Sequence, residues 1–358
     1  MICRTCLYPS TKPDLHFDET GQCSACRNYE NRPQVDWHVR HQELMRLLDR
    51  FNGECLVGSS GGKDSTSIAI RLKELGADVT AVTARTCMLT DVGRMNIDNL
   101  AKYVKTIEVV PNMSERAELN RIGLDLVGDI SLPEHWAVFS TPFRVAVDIG
   151  KKLVFYGENP QSQYGGPVGS EKSKEMTQRW ANEFGGFLGL RPSDIEGFDM
   201  SFYIPPKAKD LEGVEAHFLG AYMPWDSHDN ADLAIKHGMK TYGRPPGPQN
   251  YWNFENLDNA QCGAHCFFLK VKYGYTRADA QLSVDIRSGR ITREQALKES
   301  EKRIGFPFVY AGVPFEEVLD HIGMSKQAFF NVVKRFDGGY CNAFERGETE
   351  DWGSVAQA

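Results

Sequence analysis

One loop constrains this chain more than any other feature. Cys55-Leu56-Val57 is a short apolar run. It breaks into Gly58-Ser59-Ser60-Gly61-Gly62-Lys63-Asp64-Ser65, after which Ile68, Leu72 and Leu75 recur at helical spacing up to Gly76. A strand that passes through glycines into a helix aims successive backbone N–H groups, and the positive end of the helix, at one point in space. That is an anion site. Ser59, Ser60, Gly61, Gly62, Lys63, Asp64 and Ser65 are therefore candidate ligands for a phosphate chain, with Lys63 adding a positive charge. The loop is not a Walker A motif, because Val57 stands where its first glycine belongs and Asp64 follows Lys63. An acid inside a phosphate cradle needs a compensating cation, so Asp64 is expected to face a Mg²⁺ ion. The competing reading is a glycine turn with no ligand.

The sequence around the loop alternates between two periods. Asp78–Ala84 reads as a second strand, Val92 to Tyr103 as a helix, Thr106–Val110 as a third strand ended by Pro111, and Lys152–Tyr156 as a fourth. Helical segments fall near 114–127 and 141–149, and Leu44, Leu47, Leu48 and Phe51 mark an amphipathic helix ahead of the loop. Such alternation predicts an α/β fold, a parallel sheet with helices on both faces. Ligands of such sheets sit at the carboxyl ends of the strands, where the loop falls.

Four of nine cysteines lie in the first 26 residues. Cys3/Cys6 and Cys23/Cys26 are two C-x2-C pairs. Each tight turn can offer two sulfurs to one ion, and two turns complete a closed tetrahedral zinc site. The spacer, with Pro9, Pro13 and Gly21, has too few apolar residues to fold by burial, so metal would supply its stability. Free thiols and an iron–sulfur cluster are the competing readings. At 358 residues the chain has room for two or so domains. Forty-one basic against 48 acidic residues, a net charge of −7, argue against a nucleic-acid footprint. No apolar run is long enough to span a membrane and no secretory leader is readable, so a cytoplasmic protein without a membrane partner is expected.

Ser-Gly-Gly-Lys-Asp-Ser at 60–65 resembles the PP-loop of ATP pyrophosphatases, which cut ATP between the α and β phosphates and pass AMP to a carbonyl-type oxygen. Further stretches narrow the resemblance: the cysteine start, FYGENP at 155–160 with Tyr164-Gly165-Gly166, Gly263-Ala264-His265 with Lys270, Lys272 and YGYTRA at 273–278, and DIRSGRITREQAL at 285–297. Together they resemble N-acetyl sugar amidotransferases of the WbpG and PseA type, over residues 1 to about 300. The resemblance implies conversion of a sugar acetamido group to acetamidino in bacterial surface-polysaccharide biosynthesis, LPS O-antigen or nonulosonic acid. ATP, Mg²⁺ and zinc are implied as cofactors. Ammonia would come from a HisH-like glutaminase, often with a HisF-like partner, and the substrate would be a nucleotide-linked or nonulosonic sugar.

Lys63 and Asp64 are the catalytic candidates, joined by Glu158 and Asn159 after the fourth strand, where Glu158 would bind metal or orient the sugar and Asn159 would hydrogen-bond the acetamide. Tyr164, His265, Lys270, Lys272 and Arg277 are candidate sugar or sugar-nucleotide contacts. A solvated loop and a solvated helix face are the alternatives for these two sets. The expected organisation is a zinc module over 1–37, a PP-loop domain over 38–190 and a mainly helical substrate- and partner-binding region over 191–358. In that last region His217–Tyr222 suggests another strand, Pro224–His228 opens a short helix, Thr292 with Gln295 starts one of about twelve residues, and Ser325–Phe336 is a further amphipathic helix. Cys262 and Cys266, a C-x3-C pair, depart from the amidotransferase pattern; they and Cys87, after the second strand, read first as buried free cysteines. Meeting at the loop, they would favour the alternative, a PP-loop tRNA thiolase.

Overall fold

The computed structural model describes residues 1–157, 163–166 and 173–340. Five parallel strands form the central sheet: β1 (Glu54–Gly58), β2 (Asp78–Ala84), β3 (Lys105–Val109), β4 (Leu153–Tyr156) and β5 (Glu215–Phe218), in the order β3-β2-β1-β4-β5. Register runs Cys55 to Val79 and Leu56 to Thr80 on one side of β1, and Leu56 to Val154 on the other. The chain therefore leaves β1 one way to build β2 and β3, and returns to β1's other edge with β4. Between β1 and β4 the winding reverses, which opens a crevice at the carboxyl ends of those two strands. The expected α/β parallel sheet is present. Its fifth strand comes from past residue 190, so chain from both sides of that expected boundary builds one sheet.

Side chains alternate across each strand. Cys55, Val57, Val79, Ala81, Leu153 and Phe155 face one core, with Leu44, Leu47 and Leu48 of α2 (Trp37–Arg50) and Ile68 and Leu72 of α3 (Lys63–Glu74). Leu56, Val82, Val154 and Tyr156 face the other, with Leu132, Trp136, Ala137 and Phe143 of α6 (Leu132–Ile149). Burial on both faces is what a parallel sheet needs, and each fully buried Leu contributes about 1.5–3 kcal/mol. Around these lie α1 (Ser24–Glu30), α4 (Asp91–Leu100), α5 (Met113–Val127) and α7 (Gln178–Phe184).

The second half is largely helical: α8 (Ser227–Lys236), α9 (Cys262–Tyr273), α10 (Arg277–Arg287), α11 (Arg293–Ser300), α12 (Phe315–His321) and α13 (Lys326–Phe336), with a two-strand ribbon, β6 (Val309–Tyr310) and β7 (Val313–Pro314), between α11 and α12. The capping box of Thr292 and Gln295 starts α11, which ends at Ser300 and so is shorter than expected. Ser325 caps α13 through a bond from Ala328 N to its Oγ. Phe267 and Phe268 of α9 join Phe315, Val318, Phe329 and Val332 in a separate core. No helix among the described residues is long and apolar enough to cross a membrane.

Candidate functional site

Two centres form. The first is the cysteine cluster. Cys3, Cys6, Cys23 and Cys26 are fully buried, and their sulfurs lie within 4.8 Å of one another. Thiolates at about 2.3 Å from a tetrahedral zinc sit about 3.8 Å apart; Cys6 Sγ and Cys23 Sγ are 3.7 Å apart. Backbone N–H groups of Thr5, Cys6 and Cys23 point at Cys3 Sγ from 3.3–3.5 Å, and hydrogen bonding from Cys23 and its neighbours draws that thiol well below its ordinary value. The four residues fit a metal such as zinc. The module docks on α10 and α11: Leu7 N donates to Ser283 Oγ, Tyr8 stacks edge-on against Tyr275, and Arg293 donates to the carbonyls of Cys3 and Cys6.

The second centre is a cleft of about 500 Å³ at the β1–β4 reversal. Ser59, Ser60, Gly62, Lys63, Asp64 and Ser65 line it. Gly61 has φ +77°, and a Cβ there would meet Ile97 N at 2.7 Å and Asn96 C at 2.9 Å, so only glycine fits. Gly62 caps α3 without a side-chain acceptor, which leaves the first N–H groups of α3 for a ligand. The hydroxyls brace the turn: Gly61 N donates to Ser59 Oγ, Ser59 Oγ to Ser65 Oγ and Thr66 Oγ1 to Gly61 O.

Lys63 is 5% exposed, and its Nζ lies 2.5 Å from Asp64 Oδ2 and 4.0 Å from Glu255 Oε1. Asp64 Oδ1 accepts from Asn230 Nδ2 of α8 at 3.2 Å, and Asn230 Oδ1 accepts from Ser67 Oγ. Asp64 remains 40% exposed toward the cleft. Mg²⁺ keeps most of its waters and needs only one or two carboxylates beside substrate phosphates, and Asp64 fits that demand. Glu255 opposes the loop. It holds Arg277 at 2.9 Å and accepts from Gln281 Nε2 and from Tyr164 Oη at 3.0 Å. Burial pushes the Glu255 carboxyl up, but Arg277 and Lys63 outweigh it and hold the group down at about 2. Asp258, on the same wall, has its carboxyl pushed up to about 6 by burial.

Farther along the cleft Arg116 is buried between Glu134, 3.1 Å from its Nη1, and Tyr203 Oη, 2.7 Å from its Nε; Arg116 Nη2 has no hydrogen-bond partner among the described residues. His135 and His265 line the same end, with Asp129 bonded to His265 Nδ1 at 2.8 Å.

The loop residues thus converge with His265 and Arg277, whereas Tyr164 sits behind Glu255, its ring 4.9 Å from the Arg277 guanidinium carbon. Lys270 and Lys272 do not join them. Their ammonium groups donate to Ile304 O and Val127 O, at the carboxyl end of α9 where cations complement the helix dipole. Glu158 and Asn159 lie outside the described residues. Cys87, Cys262 and Cys266 form no metal-holding group among the described residues. Sequence reasoning missed Asp129, Glu134, His135, Arg116, Asn230, Glu255 and Asp258, which are brought in from four distant segments. Only the Ser131-Leu-Pro-Glu helix start near Glu134 left a local signal.

Residues 248–353 match the family described as LPS biosynthesis protein WbpG-like, C-terminal domain. Over this segment the chain is similar to WbpG-type proteins. The matched segment holds Glu255, Asp258, His265 and Arg277 of the cleft lining, and its similarity is to a family of LPS biosynthesis proteins. No curated protein was found to match it.

Proposed function

We propose that the chain is an ATP-dependent sugar amidotransferase that turns an N-acetyl group into an acetamidino group. The observation that carries this reading is the Ser59–Ser65 loop facing the Glu255–Arg277 wall across one cleft, with the wall contributed by the WbpG-like segment. An acetamide carbonyl is a poor electrophile and its oxygen a poor leaving group. In the proposed sequence that oxygen attacks the α-phosphorus of ATP, and pyrophosphate leaves. Ammonia then adds to the carbon of the O-adenylyl imidate, the C–O bond breaks, and AMP departs with the oxygen. Atoms balance without a side-chain nucleophile, so the protein's task is positioning and charge.

The α3 N-terminus and Lys63 would hold the departing pyrophosphate, and Asp64 would hold Mg²⁺. Incoming phosphates would displace Asp64 from Lys63, while Glu255 keeps the Lys63 ammonium aimed at the loop. Arg116 Nη2 is suited to an anionic group on the sugar or its carrier. Ammonia must arrive unprotonated, which favours delivery from a HisH-like glutaminase, with a HisF-like subunit in the same assembly. Sulfur transfer to tRNA is disfavoured by the net charge and by the scattered thiols. The test is pyrophosphate release from ATP with a panel of acetamido sugars and ammonium salt, the products read by mass. A sugar one mass unit lighter, oxygen exchanged for NH, is expected. Turnover only with tRNA and a sulfur donor would replace the reading by the thiolase.

A further inference from the structure

The far end of the cleft gathers a second set of metal-competent side chains. Asp129 follows the glycine that ends α5, while His135 and His265 sit one turn inside α6 and α9. Asp129 Oδ1 accepts from Ser131 N at 2.9 Å and from His265 Nδ1 at 2.8 Å, and its other oxygen faces His135 Nδ1 at 3.8 Å. The imidazoles meet edge to face, 5.5 Å between centroids. One ligand atom from each of the three residues lies within 4.8 Å of the other two. The carboxylate is buried, whereas both rings are more than a quarter exposed to the cleft.

Two imidazoles and a carboxylate suit zinc and its first-row neighbours rather than Mg²⁺ or Ca²⁺. Three protein ligands leave coordination positions open, unlike four thiolates. The backbone supports the arrangement. Gly186, at φ +78°, brings its carbonyl oxygen to 3.2 Å from His135 Nδ1, and a Cβ there would meet that nitrogen at 3.1 Å. A carbonyl bonded at Nδ1 fixes the ring and leaves Nε2 as the metal-binding nitrogen, the way metal-bound imidazoles are commonly steadied.

We propose that Asp129, His135 and His265 bind a divalent transition-metal ion, zinc by preference, with open coordination positions turned into the cleft toward an oxygen donor of the bound substrate. The site is separate from the cysteine cluster and from Asp64, and it does not rest on the amidotransferase reading, because metal is counted rather than turnover. The full chain, loaded with Co²⁺ and freed of excess metal, should hold two ions. One should show the sulfur-to-cobalt charge transfer of the cysteine cluster; the other should show the weaker visible bands of a nitrogen–oxygen site. His265→Ala and His135→Ala should each weaken the second ion by at least about tenfold and leave the charge-transfer band in place, a sign that the chain still folds. Saturation of the unmodified chain at one ion would overturn the proposal and leave a His265–Asp129 hydrogen-bonded pair. So would nitrogen–oxygen bands that survive in both variants.

Discussion

The cysteine module and the cleft are both built around charge, but they are assembled over opposite distances. All four sulfurs come from 24 consecutive positions, Cys3 to Cys26, and they close on one another with no water-facing side. The cleft takes Lys63 from the loop, Glu134 from α6, Asn230 from α8 and Glu255 from the segment before α9. It stays open, and Arg116 Nη2 in it has no hydrogen-bond partner among the described residues. The closed centre is suited to holding structure; the open one is suited to chemistry. They are joined by α10 and the turn before it: Tyr275 in that turn and Ser283 of the helix pack against the module, and Arg277, the first residue of α10, pairs with Glu255.

The largest effect should come from breaking the closed centre. Cys26→Ser should release the metal and remove the module's main source of order, a loss on the order of several kcal/mol. Because Arg293 and Ser283 hold the module to α11 and α10, the damage should reach Arg277, and turnover should fall with stability. Metal content and thermal melting measured together check this. A variant that keeps its metal and its melting temperature would show that the four sulfurs are not the ligands.

Lys63→Ala should sharpen the contrast from the other side. Pyrophosphate release should drop by about a hundredfold to a thousandfold, the loss seen when one preorganised charge-stabilising donor is removed, while the melting temperature falls less than in the Cys26 variant and the cysteine-bound metal stays in place. Asp64→Ala should do the same and should also abolish the dependence on Mg²⁺ concentration. Full activity of the Asp64 variant would end its role as metal ligand.

The two regions also differ in how readable they were. Thiol spacing announced the module because its ligands are close in sequence and their geometry is set by two local turns. The loop was equally plain, since the strand, the glycines and the helix are contiguous. Glu255 left no such trace. It pairs with Lys63 across 192 positions, a relation created by the route of the chain over the sheet. Lys270 and Lys272 misled for the same reason. Their neighbours in sequence matched the resemblance, but their place in the last turn of α9 carries their side chains to its carboxyl end rather than into the cleft. A strand was expected over His217–Tyr222, whereas the fifth strand runs Glu215–Phe218 and overlaps that stretch only at its end, and its pairing with β4 depended on a crossover that no local pattern records.

Glu255→Gln tests that unread relation. Neutralising one partner of a buried pair costs about 3–5 kcal/mol, and the residue is 10% exposed. Its carboxyl is held at about 2 against an ordinary 4.5. A depressed folded value stabilises above the ordinary value, and that stabilisation is lost as pH falls from 4.5 toward 2. Melting curves across this window should show a weaker acid dependence in the variant than in the parent. Parallel curves would mean that Glu255 is not the charged partner of Arg277 and Lys63.

The smallest effect is expected at Cys87. Among the described residues its sulfur reaches Met113 O, at 4.0 Å, and burial pushes its thiol up to about 12. Burial likewise raises Cys266 to about 12 and Cys262 well above its ordinary value. A sulfur-transfer enzyme needs the reverse, a cysteine kept as thiolate by nearby positive charge. Cys87→Ser should therefore change pyrophosphate release by less than about threefold, which corresponds to under about 0.7 kcal/mol of barrier. A hundredfold loss, restored by no metal, would place a thiolate in the open centre, move the chemistry from nitrogen to sulfur, and end the division between a sulfur-built scaffold and a cleft that works by charge.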